Sequence, residues 1–270
     1  MRTHLSKLRV IIAFISVLCF NGYCAQQSPE SKRKAEEVKA LGAIPEKQTL
    51  SSKEQVSDKL HRFKLFRYID QQGTGIEAFS FLMPADWMFE GGMTWLLDNP
   101  MMPSVSAFRV FNPNGREEFE VFPNYSFYWT DNKLQMNLFP PGSRYYGNVV
   151  KQPVTAQVAL QEIILPEQRG GLQGLTILKN ENVPELPAAL GAGQQQAGVA
   201  SGATGAKLWI RYISGGVPIE EEIYAVVETM TFPTQGMFGV SYNTLWYLDY
   251  IFSFKATAGN LEKNTKIFQT

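Results

Sequence analysis

The residues most able to do chemistry stand in the run "PIEEEIYAVVETMTF", where Glu220, Glu221 and Glu222 follow one another. In a β-strand, Glu220 and Glu222 share a face about 7 Å apart, a separation within the range of two-carboxylate hydrolases that act on glycans or similar polymers. The upstream run "AKLWIRYI" carries Lys207, Trp209 and Arg211 with the same period of two, and Ser214-Gly215-Gly216-Val217 between the runs reads as a hairpin loop. Pairing Arg211 with Glu220 and Trp209 with Glu222 puts Lys207, Trp209, Arg211, Glu220, Glu222 and Tyr224 on one face. Leu208, Ile210, Tyr212, Ile219 and Ile223 take the other, with Glu221 as the exception. A slip of one residue would set Glu220 and Glu222 among the apolar side chains, so burial selects this register. Lys207 and Arg211 beside the two acids argue against the raised pKa that a general acid needs. The reading favoured is an ion-paired, solvated sheet face used for binding, with the hydrolase as the alternative.

A third strand, "NTLWYLDYIFSFKA", alternates Trp246, Leu248, Tyr250, Phe252 and Phe254 onto one face and Tyr247, Asp249 and Lys255 onto the other. Tyr247 and Asp249 thereby join the candidate binding face, which becomes Trp209, Arg211, Glu220, Glu222, Tyr224, Tyr247 and Asp249.

Other chemistries are poorly supplied. The chain has 2 histidines, His4 and His61, and 2 cysteines, Cys19 and Cys24. A histidine-rich zinc site or a Ser-His-Asp triad lacks its parts, and no metal or cofactor is expected. No G-x-S-x-G, P-loop or HExxH string occurs, and "GAGQQQAG" has the wrong glycine spacing for a dinucleotide fingerprint. "DQQGTGIE" (residues 70–77) lacks the alternating oxygen donors of a calcium loop and reads as a turn.

These residues need a scaffold, and the N-terminus says where it goes. Arg2, Lys7 and Arg9 precede an apolar run over residues 10–20, the pattern of a secretory leader spanning residues 1–24. An uncleaved anchor and lipidation at Cys24 are the alternatives, the latter opposed by bulky Tyr23. Removing the leader takes the 25 basic residues to 22 against 25 acidic, about −3, which offers nothing to nucleic acid. The expected location is periplasmic or extracellular. The membrane enters only through the leader before cleavage, and the expected partner is an envelope or extracellular protein or ligand. Residues 25–60 are polar, mixed in charge and nearly free of aromatics, as in a spacer.

One domain is expected over residues 61–270. Its first half holds "FSFLMPADWMFEGGMTW", in which Phe79 and Phe81 alternate into a core, Pro84 ends the strand, Trp87 covers the corner and Gly91-Gly92 allow close backbone approach. "SVSAFRVFNPNGREEFEVF" is a hairpin around Asn112-Pro113-Asn114-Gly115. Thr155 caps a helix that Pro166 kinks or ends, and "LQGLTILK" is a strand. Residues 184–206, rich in Gly, Ala and Gln, read as a mobile loop. Asn260 starts a final helix suited to cover the Trp246–Phe254 face, and the missing stop signal suggests that the native helix runs on.

"FSFLMPADW", the hairpin ending in "PIEEEIY", "YIFSFKA" and "GNLEKNTKIFQT" resemble exported bacterial proteins of the PsbP/Mog1 type. The resemblance spans roughly residues 68–270. It implies an α+β fold, an α/β/α sandwich with an antiparallel sheet and helices packed on its faces. It transfers no catalytic residue and suggests an accessory or binding role.

Overall fold

The computed structural model describes residues 62–265 except 196, 237 and 238. The expected leader, the spacer and His61 lie outside the described residues. Strands β1 (Phe63–Ile69) and β2 (Glu77–Pro84) form a separate two-stranded antiparallel sheet. A ten-stranded sheet runs in the order β3 (Met88–Trp95), β4 (Ser104–Phe111), β5 (Glu118–Val121), β12 (Gly239–Thr257), β11 (Val217–Gly236), β10 (Ala200–Ser214), β9 (Gln173–Asn182). Strand β6 (Tyr125–Thr130) also pairs with β12 and, in parallel, with β8 (Asn148–Val150), which pairs with β7 (Arg144–Tyr145).

The helices are α1 (Lys133–Leu138), α2 (Ala156–Ala159), which continues as a π-helix over Leu160–Arg169, α3 (Leu186–Ala189) and α4 (Leu261–Thr265). Strand takes 56% and helix 14%, and the large sheet curls into a half-barrel. The expected α+β fold, an α/β/α sandwich with helices packed on both faces, is therefore overturned. A two-stranded β-hairpin covers one face of the sheet where that architecture would place helices.

Two cores result. On one face, Phe79, Phe81 and Met83 of β2, with Trp87 at the corner, pack against Phe108, Phe119 and Phe252 of the sheet. Of the stretch that begins at Phe79, Phe79, Phe81, Met83 and Trp87 are core, as the alternation indicates, whereas Leu82 and Met88 are exposed. Gly91 (φ 108°) and Gly92 do the expected work: a Cβ on Gly91 would lie 2.4 Å from the Ala107 carbonyl, and one on Gly92 2.2 Å from the Tyr68 hydroxyl. On the other face, Leu160, Ile163, Ile164 and Leu165 of the π-helix pack on Leu208, Ile223 and Trp246.

Several local rules hold. Thr155 accepts from the Val158 N–H and starts α2. Strands β4 and β5 flank the Asn112–Gly115 turn, with Phe111 opposite Glu118. Pro166 does not end its helix, which runs through it to Arg169 as wide π turns. At that end the Arg169 guanidinium reaches Glu221 on β11 at 2.8 and 3.0 Å. Residues 184–206 are not all loop, since they contain α3, with Leu186 buried, and the start of β10.

The expected single face from Trp246 to Phe254 divides. Tyr250 has φ 49°, and the β11–β12 register shifts between Tyr224 and Val226. This β-bulge reverses the parity of β12, sending Trp246 and Leu248 to the π-helix core and Phe252 and Phe254 to the hairpin core. Leu261 of α4 covers only the second pair's side.

Replacing a buried corner Trp by Ala removes its packing and leaves a cavity. Trp87→Ala should cost about 3–5 kcal/mol in a denaturant titration. An unchanged unfolding midpoint would contradict the core assignment.

Candidate functional site

The β10–β11 hairpin has the register that burial selects: Arg211 lies opposite Glu220 and Trp209 opposite Glu222. The face it creates is not the solvated one expected. Glu220, Glu222, Tyr224 and Lys207 are buried, and Trp209, Tyr247 and Asp249 are part-buried; Arg211 alone of the candidate set is well exposed. The reason is long-range. The same face turns toward the core that includes Leu186 of α3, Leu190, and Leu261 of α4, and Tyr224 and Trp209 pack into it.

The seven candidate residues divide into three groups along the sheet. At one end the Arg211 guanidinium donates to Glu220 Oε1 at 2.6 and 3.2 Å, and the Gly259 N–H donates to Glu220 Oε2 at 3.3 Å. Glu220 thus links β10 to the turn before α4. In the middle, Lys207 Nζ donates to Glu222 Oε1 at 3.1 Å and lies 3.1 Å from Glu181 on β9, while the Tyr224 hydroxyl donates to Glu222 Oε2 at 2.8 Å. Burial, reinforced by the Glu222 carboxylate, pushes the Tyr224 phenol well above its usual pKa. Burial pulls the Lys207 ammonium down, but Glu222 and Glu181 outweigh it and leave its pKa raised. Trp209 Nε1 is buried with no hydrogen-bond partner among the described residues.

Glu220 and Glu222 are each tied to a cation of the neighbouring strand. That arrangement ties β10 to β11 at two points. No group of three or more metal-ligating side chains occurs among the described residues.

The third group is different. The Asn124 side-chain N–H donates to Asp249 Oδ1 at 2.8 Å, with Tyr247 on the same face. Glu228, opposite Tyr247 on β11, accepts from the Gly193 N–H at 2.5 Å. Burial, with Glu228 adding repulsion against the Asn124 bond, pushes the Asp249 carboxyl up to about 7. Asn124 and Glu228 were outside the sequence expectation. Asn124 comes from the chain just before β6, 125 residues away, and no local pattern announces the contact.

On the opposite face lies a second network that sequence reasoning also missed. Glu221, fully buried, and Glu120 both bond to Arg169, whose guanidinium stacks 4.7 Å from the Phe122 ring centroid. Burial raises the Glu221 pKa but the Arg169 contacts outweigh it, and the net shift is downward. The only sequence signal was Glu221 itself, a charge on an apolar strand face that required a partner.

No family model matches the chain, and no curated protein matches it.

Asp249 makes stability depend on pH. Its folded pKa, about 7, exceeds the unfolded value near 3.8, so its contribution is intact below about pH 4 and declines as pH rises through 7. Asp249→Asn should remove this decline, worth about 2–4 kcal/mol, and should raise the melting temperature at pH 8 more than at pH 5. Equal shifts at both pH values would contradict the assignment.

Proposed function

We propose that the protein is an exported, non-enzymatic binding or accessory module of the cell envelope or exterior. It docks a partner protein through the outer face of the β1–β2 hairpin. The observation that carries this reading is the character of that hairpin. Its inner face supplies Phe66, Tyr68, Phe79 and Phe81 to the core. Its outer face is apolar at one end, where Phe63 and Leu65 alternate along β1 and Leu82 stands directly opposite Leu65; Arg67, opposite Ser80, follows on the same face before Ile69. Leu65 and Leu82 are 54% and 55% exposed.

A half-covered sheet normally alternates apolar with polar side chains, and strands apolar on both sides belong where both sides are buried. The exposed Phe63, Leu65 and Leu82 have the composition of a protein-interaction surface, bounded on one side by Arg67 and its ion pair with Glu77. The candidate face predicted from the sequence supports this reading from within, by pairing β10 with β11 in the sheet whose core the hairpin shares. Ion pairing of Glu220 and Glu222 supports a structural role for both acids over a hydrolytic one.

In-cell crosslinking of the tagged, exported protein, followed by mass spectrometry, tests the proposal. The expected result is a reproducible protein partner that disappears in Leu65→Glu/Leu82→Glu while circular dichroism stays unchanged. A crosslinking pattern identical in the variant would contradict the assignment of this face.

A further inference from the structure

We propose that the end of the sheet formed by the β11–β12 hairpin, α1 and the β7–β8 turn is a membrane-surface contact, seating on lipid headgroups with anionic lipid preferred. This goes beyond the protein-docking role of the β1–β2 face, which lies on different elements.

The strands β11 and β12 are 20 and 19 residues long, well beyond the usual strand length of about five or six. Strand β10 accompanies β11 only as far as Thr231, and β6 accompanies β12 only as far as Asn243. Beyond those points, among the described residues, β11 and β12 pair only with each other. A two-stranded extension of this kind is marginally stable in water. Between Glu228 and Asp249 the sequence holds no charged side chain, in a chain that is 19% charged. Val240 and Tyr242 are exposed on this extension.

The neighbouring segment enlarges the same surface. The Tyr242 N–H donates to Asp131 Oδ1 at 2.8 Å, and the Asp131 N–H donates to the Tyr242 carbonyl, which fixes the start of α1 beside the hairpin. Leu134 and Leu138 are both exposed and lie four residues apart on one face of α1. Phe139, next in the chain, meets the Tyr145 ring at 5.0 Å, and Tyr145 meets Tyr146 at 4.7 Å.

Tyr146 is 69% exposed and has φ 48°, a left-handed conformation that a bulky residue adopts only at a cost. With Gly147 (φ 84°) it forms the two-residue turn of the β7–β8 hairpin, which needs positive φ at both positions and turns the Tyr146 ring outward. The exposed cations here are Lys133 and Arg144, and Asp131, the acid of this segment, is engaged by the Tyr242 N–H. Aliphatic side chains, amphipathic aromatic rings and two flanking cations against one acid match the headgroup zone of an anionic bilayer.

The test is cosedimentation of the protein recovered after export with phosphatidylcholine vesicles, with and without one-quarter phosphatidylglycerol. Two variants accompany it, Leu138→Glu/Val240→Glu and Lys133→Glu/Arg144→Glu. All four positions are exposed, so unchanged circular dichroism is the check on folding. The wild type should pellet with the phosphatidylglycerol vesicles. The apolar variant should bind both vesicle types at least tenfold more weakly, and the charge variant should lose about tenfold or more on the anionic vesicles only. Wild type that stays in solution with both vesicles overturns the proposal, as does an apolar variant that binds like wild type. A lipid-free oligomer dispersed by Leu138→Glu/Val240→Glu would make this end a protein interface and would also overturn it.

Discussion

The buried contact between Arg169 and Glu221 is the constraint on which the rest of the structure turns. Glu221 stands fully buried between Ile219 and Ile223 on β11, which lies inside the sheet between β12 and β10. A carboxylate in that position is tolerable only with a cation against it. Arg169 supplies the cation from the last turn of the π-helix and thereby fixes where that helix ends on the sheet. The helix then lays Leu160, Ile163 and Ile164 over the face that contains Glu221. Replacing a buried ion pair with apolar residues often costs little, whereas removing one partner costs much. The pair therefore acts mainly by setting position. It specifies one seating of a helix that carries a proline and could otherwise slide.

One sheet serves two cores because β12 changes parity at Tyr250. Without that bulge, Trp246, Leu248, Phe252 and Phe254 would compete for one covering element. With it, the first pair joins the π-helix core and the second joins the core to which the β1–β2 hairpin contributes. The hairpin is thin, so its outward side chains are the next surface. Their apolar character links the packing of the core directly to the proposed docking role. The proposed role rests on this layering, and the charged residues of the sheet tie its strands together.

Local pairings were legible in the sequence where period-two burial leaves little freedom. The Arg211–Glu220 register, the turn at Asn112–Gly115, the cap at Thr155 and the close approach at Gly91-Gly92 all follow from neighbouring residues. The fold class was not legible, because it depends on what covers each face. Lys207, Glu220 and Glu222 have the pattern of a solvated face, yet that side of the sheet turns into a core that Leu186 of α3 and Leu261 of α4 complete. Glu221 announced the need for a cation but could not identify Arg169, 52 residues away. Pro166 suggested a helix end because proline removes an α-helical hydrogen bond, and wide π turns accommodated it. Tyr250 is an unusual residue for a left-handed bulge, so the parity change had no glycine to mark it.

The most direct measurement is a double-mutant cycle on Arg169→Met and Glu221→Met, read as unfolding free energy at pH 7. Each single variant should lose about 3–5 kcal/mol, and the double variant should lose at least about 2 kcal/mol less than the sum of the two. Additive losses, or an Arg169→Met variant as stable as wild type, would contradict the claim that this pair fixes the helix on the sheet.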